Sequence, residues 1–296
     1  MRYRLLYLLI VALLLSSSSP LVVQADRRTP LPVYAGTREQ AVQAAVRDQK
    51  GVSATAILEV GSIAELNGWT FGTVGVFADN ELPNVYLYLA EQRTEGWAVA
   101  IEYTDLFRAA LKHIPRDLLT PEQWATLDYN PATSLQSLIE LQNDRSMQIS
   151  LPWPVGESRY LTQGPHGAQS AALDFAGPAN ATVHAARGGV AYHACPGAAD
   201  THLRIDHGNG ISTNYYHLDA ITVGNGQAVA RWEAVGRQGT KVRCQGYVTG
   251  AHFHFWITIN GQNMPIDGFE FGGWHVSGNC MIRIRDATTR CASIYF

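Results

Sequence analysis

Between residues 37 and 49 the apolar positions Ala41, Val42, Ala45 and Val46 recur at spacings of three and four, which predicts a helix with one buried side. Residues 70–77, 85–89 and 97–103 are rich in β-branched and aromatic side chains and predict antiparallel strands. A second helix follows from the spacing of Leu106, Phe107, Ala110, Leu111 and Ile114. Thr120-Pro121-Glu122-Gln123 opens another, with a capping hydroxyl, proline at the first helical position and glutamine at the third. Near residue 150 the texture changes. Glycine and β-formers dominate, short strands are expected at 181–186, 189–194, 202–206, 211–216, 227–230 and 251–259, and no long amphipathic helix remains. The pattern predicts two domains, an N-terminal α+β domain over 26–148 and a C-terminal all-β antiparallel domain over 149–296. The polar, then proline-punctuated stretch 144–160, ending in Leu151-Pro-Trp-Pro-Val155, reads as their connection.

Ahead of these domains, Met1-Arg-Tyr-Arg4 precedes an apolar run from Leu5 to Leu15 and then four serines. That is the layout of a secretory signal peptide, with cleavage expected after Ala25. The run is 11 residues, well short of the roughly 20 needed to cross a bilayer as a helix. The expected location is secreted or on the exterior of the cell envelope, with no membrane association once processed.

Charge sharpens the contrast between the halves. Residues 26–148 carry ten Lys/Arg against sixteen Asp/Glu, and residues 149–296 carry ten against nine. No basic stripe suited to a phosphate backbone is present, which argues against nucleic acid as a partner. All four cysteines fall after residue 190, and an even number in an exported chain suggests two disulfides. Three pairings are possible. Cys195 with Cys244 and Cys280 with Cys291 is favoured, the second closing a terminal hairpin. Without a C-x-x-C pair, a cysteine-based zinc site has no support.

The histidines carry the functional signal, because nine of the ten lie after residue 165. In Ala251-His252-Phe253-His254-Phe255 the period of a strand puts both imidazoles on one face and both phenylalanines on the other. Two buried imidazoles are costly unless their nitrogens are used, and a metal would use them. His166 and Asp174 stand eight positions apart, the carboxylate between Leu173 and Phe175, where a cation would hold it ionised. Thr213-Asn214-Tyr215-Tyr216-His217-Leu218 offers a further histidine on an expected strand. His184, His193 and His202 have no motif support, His113 sits beside an apolar helical stripe, and His207 is read as structural.

The ordered set H-x(n)-D, His207-Gly-Asn-Gly210, Tyr215-x-His217-Leu218 and H-x-H resembles the bacterial zinc endopeptidases that include lysostaphin, LytM and the beta-lytic or staphylolysin enzymes. The likeness covers about residues 150–296. The long interval between His166 and Asp174 and the cysteine placement are similar to the beta-lytic subgroup. The resemblance implies a zinc ion held by His166, Asp174 and His254, with His217 and His252 as catalytic histidines and Tyr215 as a possible substrate or transition-state contact. It implies hydrolysis of peptide bonds in peptidoglycan or glycine-rich peptides. The competing expectation is a noncatalytic peptidoglycan-binding or regulatory protein on the same scaffold. Residues 26–148, acidic and without a catalytic group, are expected to be a propeptide or regulatory domain that binds the catalytic cleft, with residues 142–150 as the place of separation.

Overall fold

Capping and pairing rules account for the first half of the chain in the computed structural model, which describes residues 30–79, 81–128, 149–194, 201–242, 248–291 and 293–295. The expected signal peptide, the Cys195–Cys244 pair and the expected separation segment up to residue 148 lie outside these residues. Helix α1 (Arg38–Lys50) starts at Thr37, whose hydroxyl accepts from Gln40 N while the Gln40 side chain returns to the Thr37 backbone. It ends at Gly51, which adopts the left-handed conformation glycine tolerates best. Strands β1 (Val33–Tyr34), β2 (Ile57–Leu66), β3 (Trp69–Phe77), β4 (Asn84–Arg93) and β5 (Gly96–Ile101) form one antiparallel sheet in the order β1-β5-β4-β3-β2. Strand β2 was not expected from the sequence. Helix α1 covers one face through Ala41, Val42, Ala45 and Val46. Helices α2 (Asp105–Leu111) and α3 (Pro121–Leu127) pack on the other, where Phe107 and Leu127 meet Trp69, Phe71 and Leu87. Thr120 and Gln123 form the reciprocal cap the sequence predicts for α3.

The second half is almost entirely antiparallel sheet. In chain order its strands are β6 (Ser158–His166), β7 (Ala172–Ala176), β8 (Thr182–His184), β9 (Gly189–His193), β10 (His202–Asp206) and β11 (Ile211–Tyr216). These are followed by β12 (Leu218–Ile221), β13 (Ala228–Val229), β14 (Ala234–Gln238), β15 (Phe253–Ile259) and β16 (Gln262–Asn263). The last are β17 (Glu270–Phe271), β18 (Trp274–Ser277), β19 (Cys280–Arg283), β20 (Thr289–Arg290) and β21 (Ser293–Tyr295). The main sheet runs β13-β9-β10-β11-β15-β7-β6-β21, with β16 paired to β15. Strands β12-β14-β8 and β17-β18-β19-β20 make two smaller sheets. The Cys280–Cys291 disulfide is present and ties β19 to the residue after β20. Ile149, Leu151 and Trp153 are buried in the core behind the main sheet, with Trp153 edge-on to Phe175 at 5.0 Å. Over residues 149–153, therefore, the stretch read as a connection is packed interior, because its apolar residues alternate into that core, while Val155 and Tyr160 beyond it are exposed.

Register aligns side chains of the main sheet into cross-strand rows. His202, Tyr216, His254 and Asp174 are paired neighbours in one row. Two residues along each strand, Arg204, Asn214, Trp256 and Ala172 form the next, and Asp206, Ser212 and Thr258 a third. Residues two apart share a face, so all three rows lie on the same side of the sheet. Leu203, Ile205, Tyr215, Phe253 and Phe255 occupy the opposite side, in the core.

The first half covers the second and third rows, and Leu31–Phe296 is one compact unit. Val190 and Tyr192 of β9 join the cluster of Phe71 and Leu87, with the Phe71 and Tyr192 rings edge-on at 6.2 Å. Arg204 reaches across to Glu102 through two bonds of 2.6 and 2.8 Å, and also donates to Val85 O, Ser212 Oγ, the Tyr103 hydroxyl and Asp206 Oδ2. Glu102 in turn accepts from Leu87 N.

Candidate metal centre

The first row supplies the site. His254 is placed by β15 and Asp174 by β7, directly paired across the sheet, and His254 Nε2 lies 3.1 Å from Asp174 Oδ1. His166, at the end of β6, brings its Nε2 to 3.2 Å from the same oxygen. A register shift between Gln163 and His166 interrupts the β6–β7 ladder and re-aims this histidine toward Asp174. His252, just before β15, has its Nε2 3.6 Å from Asp174 Oδ2.

His217 arrives by a different route. Strand alternation would send its ring to the core side with Tyr215, but His217 has φ 66°, in the left-handed region. That turn brings the ring back beside Tyr216, at 4.2 Å between centroids, and 4.5 Å from the His254 ring. Its centroid is 5.0 Å from that of His252. The ligand atoms fall into two overlapping groups, His166, Asp174 and His254, and His217, His252 and His254, each within 4.8 Å.

Tyr215 does not belong to the site. The sequence reading offered it as a possible substrate or transition-state contact, but strand alternation puts it on the core side of the sheet, and the left-handed residue brings only His217 back to the site. Tyr215 is fully buried in the core, its hydroxyl accepting from Ala186 N and bonded to Thr213 Oγ1, and burial pushes that phenol up to about 12. Tyr216, which sequence reasoning passed over, faces the histidines instead, 6.2 Å from the His254 ring. Its signal was its place two residues from Asn214 and beside a histidine in a Tyr-Tyr-His run.

Hydrogen bonds fix three of the imidazoles. The Nδ1 of His166 meets Gly164 O at 2.9 Å, that of His252 meets Gly250 O at 2.8 Å, and that of His217 meets Lys241 O at 3.0 Å. A carbonyl only accepts, so each Nδ1 carries hydrogen and, in the neutral ring, each Nε2 presents a lone pair to the centre. His166 Nε2, His252 Nε2, His254 Nδ1 and Asp174 Oδ1 are all buried without a hydrogen bond. Buried polar atoms ordinarily find partners, and a cation satisfies several at once. Two ligands of a tetrahedral zinc stand about 3.4 Å apart at ordinary bond lengths, close to the separations at Asp174 Oδ1. The donors fit zinc, and the carbonyls behind the imidazoles are the outer support that metal-binding histidines need.

Electrostatics point the same way. Burial drives the His254 imidazole down to about 3 and the His217 imidazole down to about 4, so both stay neutral. For His166 burial opposes protonation, but the adjacent Asp174 carboxylate outweighs it and raises the group. Burial also works against ionisation of Asp174, yet the surrounding histidines hold its carboxyl below the ordinary range.

The other histidines lie elsewhere. His207 is buried, its Nδ1 on Gly188 O and its Nε2 on Thr213 Oγ1, a structural role in agreement with the sequence reading. His193 meets Val223 O, and buried His202 bonds Asn214 while its ring lies 5.0 Å from that of Trp256.

Comparison with known proteins gives the site a family. Residues 168–266 match the family described as Peptidase family M23. The chain is 35% identical over 79 residues to Protease LasA of Pseudomonas aeruginosa, covering 25% of this chain and 19% of that protein. It is 34% identical over 101 residues to Peptidoglycan DD-endopeptidase ShyA of Vibrio cholerae, covering 33% of this chain and 21% of that one. The matched part therefore spans about a fifth of the length of these relatives. A solved M23 metalloprotease, pseudoalterin from deep-sea, aligns with 50% of this chain and 98% of its own at 25% identity, with a TM-score of 0.44. Asp174, His217, His252 and His254 fall inside the region that matches Peptidase family M23, and His166 stands two residues before it.

Proposed function

We propose that the protein is an exported zinc-dependent endopeptidase that hydrolyses peptide bonds in peptidoglycan or glycine-rich peptides. The observation that carries this reading is the convergence of His166, Asp174 and His254, with His166 Nε2 and Asp174 Oδ1 buried and unpartnered, beside two further histidines that share the same centre. His166, Asp174 and His254 would hold the metal. Bound there, zinc would polarise the scissile carbonyl and lower the pKa of a water toward neutrality.

The remaining chemistry falls to the protein. His252, with its Nδ1 hydrogen committed to Gly250 O, takes a proton at Nε2 as the general base. His217 is fixed in the same tautomer by Lys241 O, so it donates from Nε2 to the carbonyl oxygen only once protonated. The proton that His252 takes up is then delivered to the leaving amine, which completes the hydrolysis. Tyr216 walls the site beside His217.

Residues 26–148 act as a regulatory domain on the cleft. Leu82, just before β4, packs with Ala171, Ala172, Tyr216 and Trp256, and a side chain at Gly167 would meet it at 3.1 Å. That contact lies between the second row and the site, where an extended peptide would approach His166 and Tyr216. The names Protease LasA and Peptidoglycan DD-endopeptidase support a cell-wall or glycine-rich peptide as substrate.

The test is metal content and hydrolysis measured together on the full exported chain. About one zinc per chain with cleavage of peptidoglycan or a glycine-rich peptide is expected. Zinc without cleavage, even after Leu82→Ala, would favour a noncatalytic binding protein.

A further inference from the structure

The interrupted register at the end of β6 leaves a backbone group to be satisfied. Ladder pairing stops after Gln163 and resumes at His166, so Gly164 N–H falls out of the ladder, and Pro165 has no N–H to offer. Gly164 is buried, and its N–H donates to Asn279 Oδ1 at 3.1 Å, across 115 residues of sequence. Gly164 O is the acceptor for His166 Nδ1. Asn279 thus anchors the peptide that enters Gly164, and the next peptide, hinged at the same Cα, presents the Gly164 carbonyl to the imidazole facing the metal site.

Both sides of this contact are built for close approach. A side-chain carbon at Gly164 would lie 2.3 Å from Asn279 Oδ1 and 2.6 Å from Gly278 O, so only glycine allows the turn to come this near. Asn279 sits in the tight turn between β18 and β19, with Gly278 at φ 54° and its N–H donating to Asp267 Oδ1 at 2.8 Å. The next residue, Cys280, carries the disulfide to Cys291. The turn is therefore pinned by Asp267 on one side and a covalent bond on the other.

We propose that Asn279 is a positioning residue for His166. By anchoring the backbone at Gly164 it sets the place of the carbonyl that fixes the tautomer and direction of the His166 ring, and the Cys280–Cys291 bond holds it there. This rests on the reading of His166 as a metal ligand. Removal of a group that orients a ligating histidine typically weakens metal binding by about 10–100-fold.

The experiment measures zinc affinity of the full chain by competition with a chromophoric chelator. Asn279→Ala and Gly164→Ala should each weaken binding by about 10–100-fold. Asn279→Asp, which keeps an acceptor oxygen at the same place, should stay within about threefold of the parent, a rescue that loss of general stability would not give. Parent-like affinity in both alanine variants, with loss in His166→Ala, overturns the positioning role and leaves the metal site standing. Parent-like affinity in His166→Ala as well overturns both.

Discussion

Replacing Glu102 with glutamine tests how the two halves are held together. Glu102 and Arg204 are both almost fully inaccessible, and the carboxylate takes two guanidinium bonds and one from Leu87 N. Glutamine keeps the volume but removes the charge and turns one acceptor into a donor facing a cation. Breaking a buried pair by removing one partner costs about 3–5 kcal/mol. Asp206, 3.1 Å from Arg204 Nη2, remains as a counter-charge. Burial raises its carboxyl above the ordinary range, and once Glu102 carries no charge Asp206 is the remaining anion beside Arg204, which recovers part of the loss. The expected destabilisation is therefore near the lower end, about 3 kcal/mol. Urea unfolding at pH 7.5 reads it as a fall in midpoint. The double variant Glu102→Leu/Arg204→Met should lose less than Arg204→Met alone, because no charge is left stranded. A Glu102→Gln midpoint corresponding to less than about 0.5 kcal/mol would mean the pair is not desolvated and would refute the account.

Asp174→Asn should weaken zinc binding and abolish most hydrolysis, whereas His252→Ala should lower kcat with zinc content nearly intact; metal analysis beside steady-state rates checks the contrast. Leu82→Ala should raise kcat/KM on a polymeric substrate several-fold without changing zinc content, and an unchanged rate would remove the inhibitory contact. Burial holds His207 down to about 3, against about 6.5 when unfolded, so the unfolded chain binds the extra proton as pH falls between those values. Its contribution is thus fully present above pH 6.5 and is lost on acidification, and His207→Gln should reduce the slope of stability against pH by about 1.4 kcal/mol per unit between pH 6 and 4, as read by urea titration.

Much of this arrangement is legible before any coordinates. Ala41 to Val46 and the Thr120–Gln123 cap follow from local periodicity and local hydrogen bonds, which the chain writes within a few residues. Phe253 and Phe255 face away from the histidines because strand parity is equally local. Tyr215 was offered as a possible contact on the resemblance, whereas parity sends it to the core; the left-handed residue that returns His217 to the site is announced by nothing in the residue type. Strand β2 escaped notice because its outer face is half exposed, with Glu59, Ser62 and Glu65 diluting the apolar alternation. Asn279 and Leu82 act through contacts with residues far away in sequence, and a single chain carries no local trace of them.

The register of these contacts also dictates an order of assembly. Strands β2 to β5 form a simple up-and-down meander in which every pairing joins neighbours in sequence. The site needs β7 to find β15, Glu102 to find Arg204, and β21 to find β6 at the opposite end of the domain. Closing such long loops is entropically expensive and slow. A chain that emerges N-terminus first therefore has its first sheet formed while the second is still being made. The Glu102 carboxylate and the apolar cluster around Phe71 are then in place for Arg204 and Tyr192 to pack against.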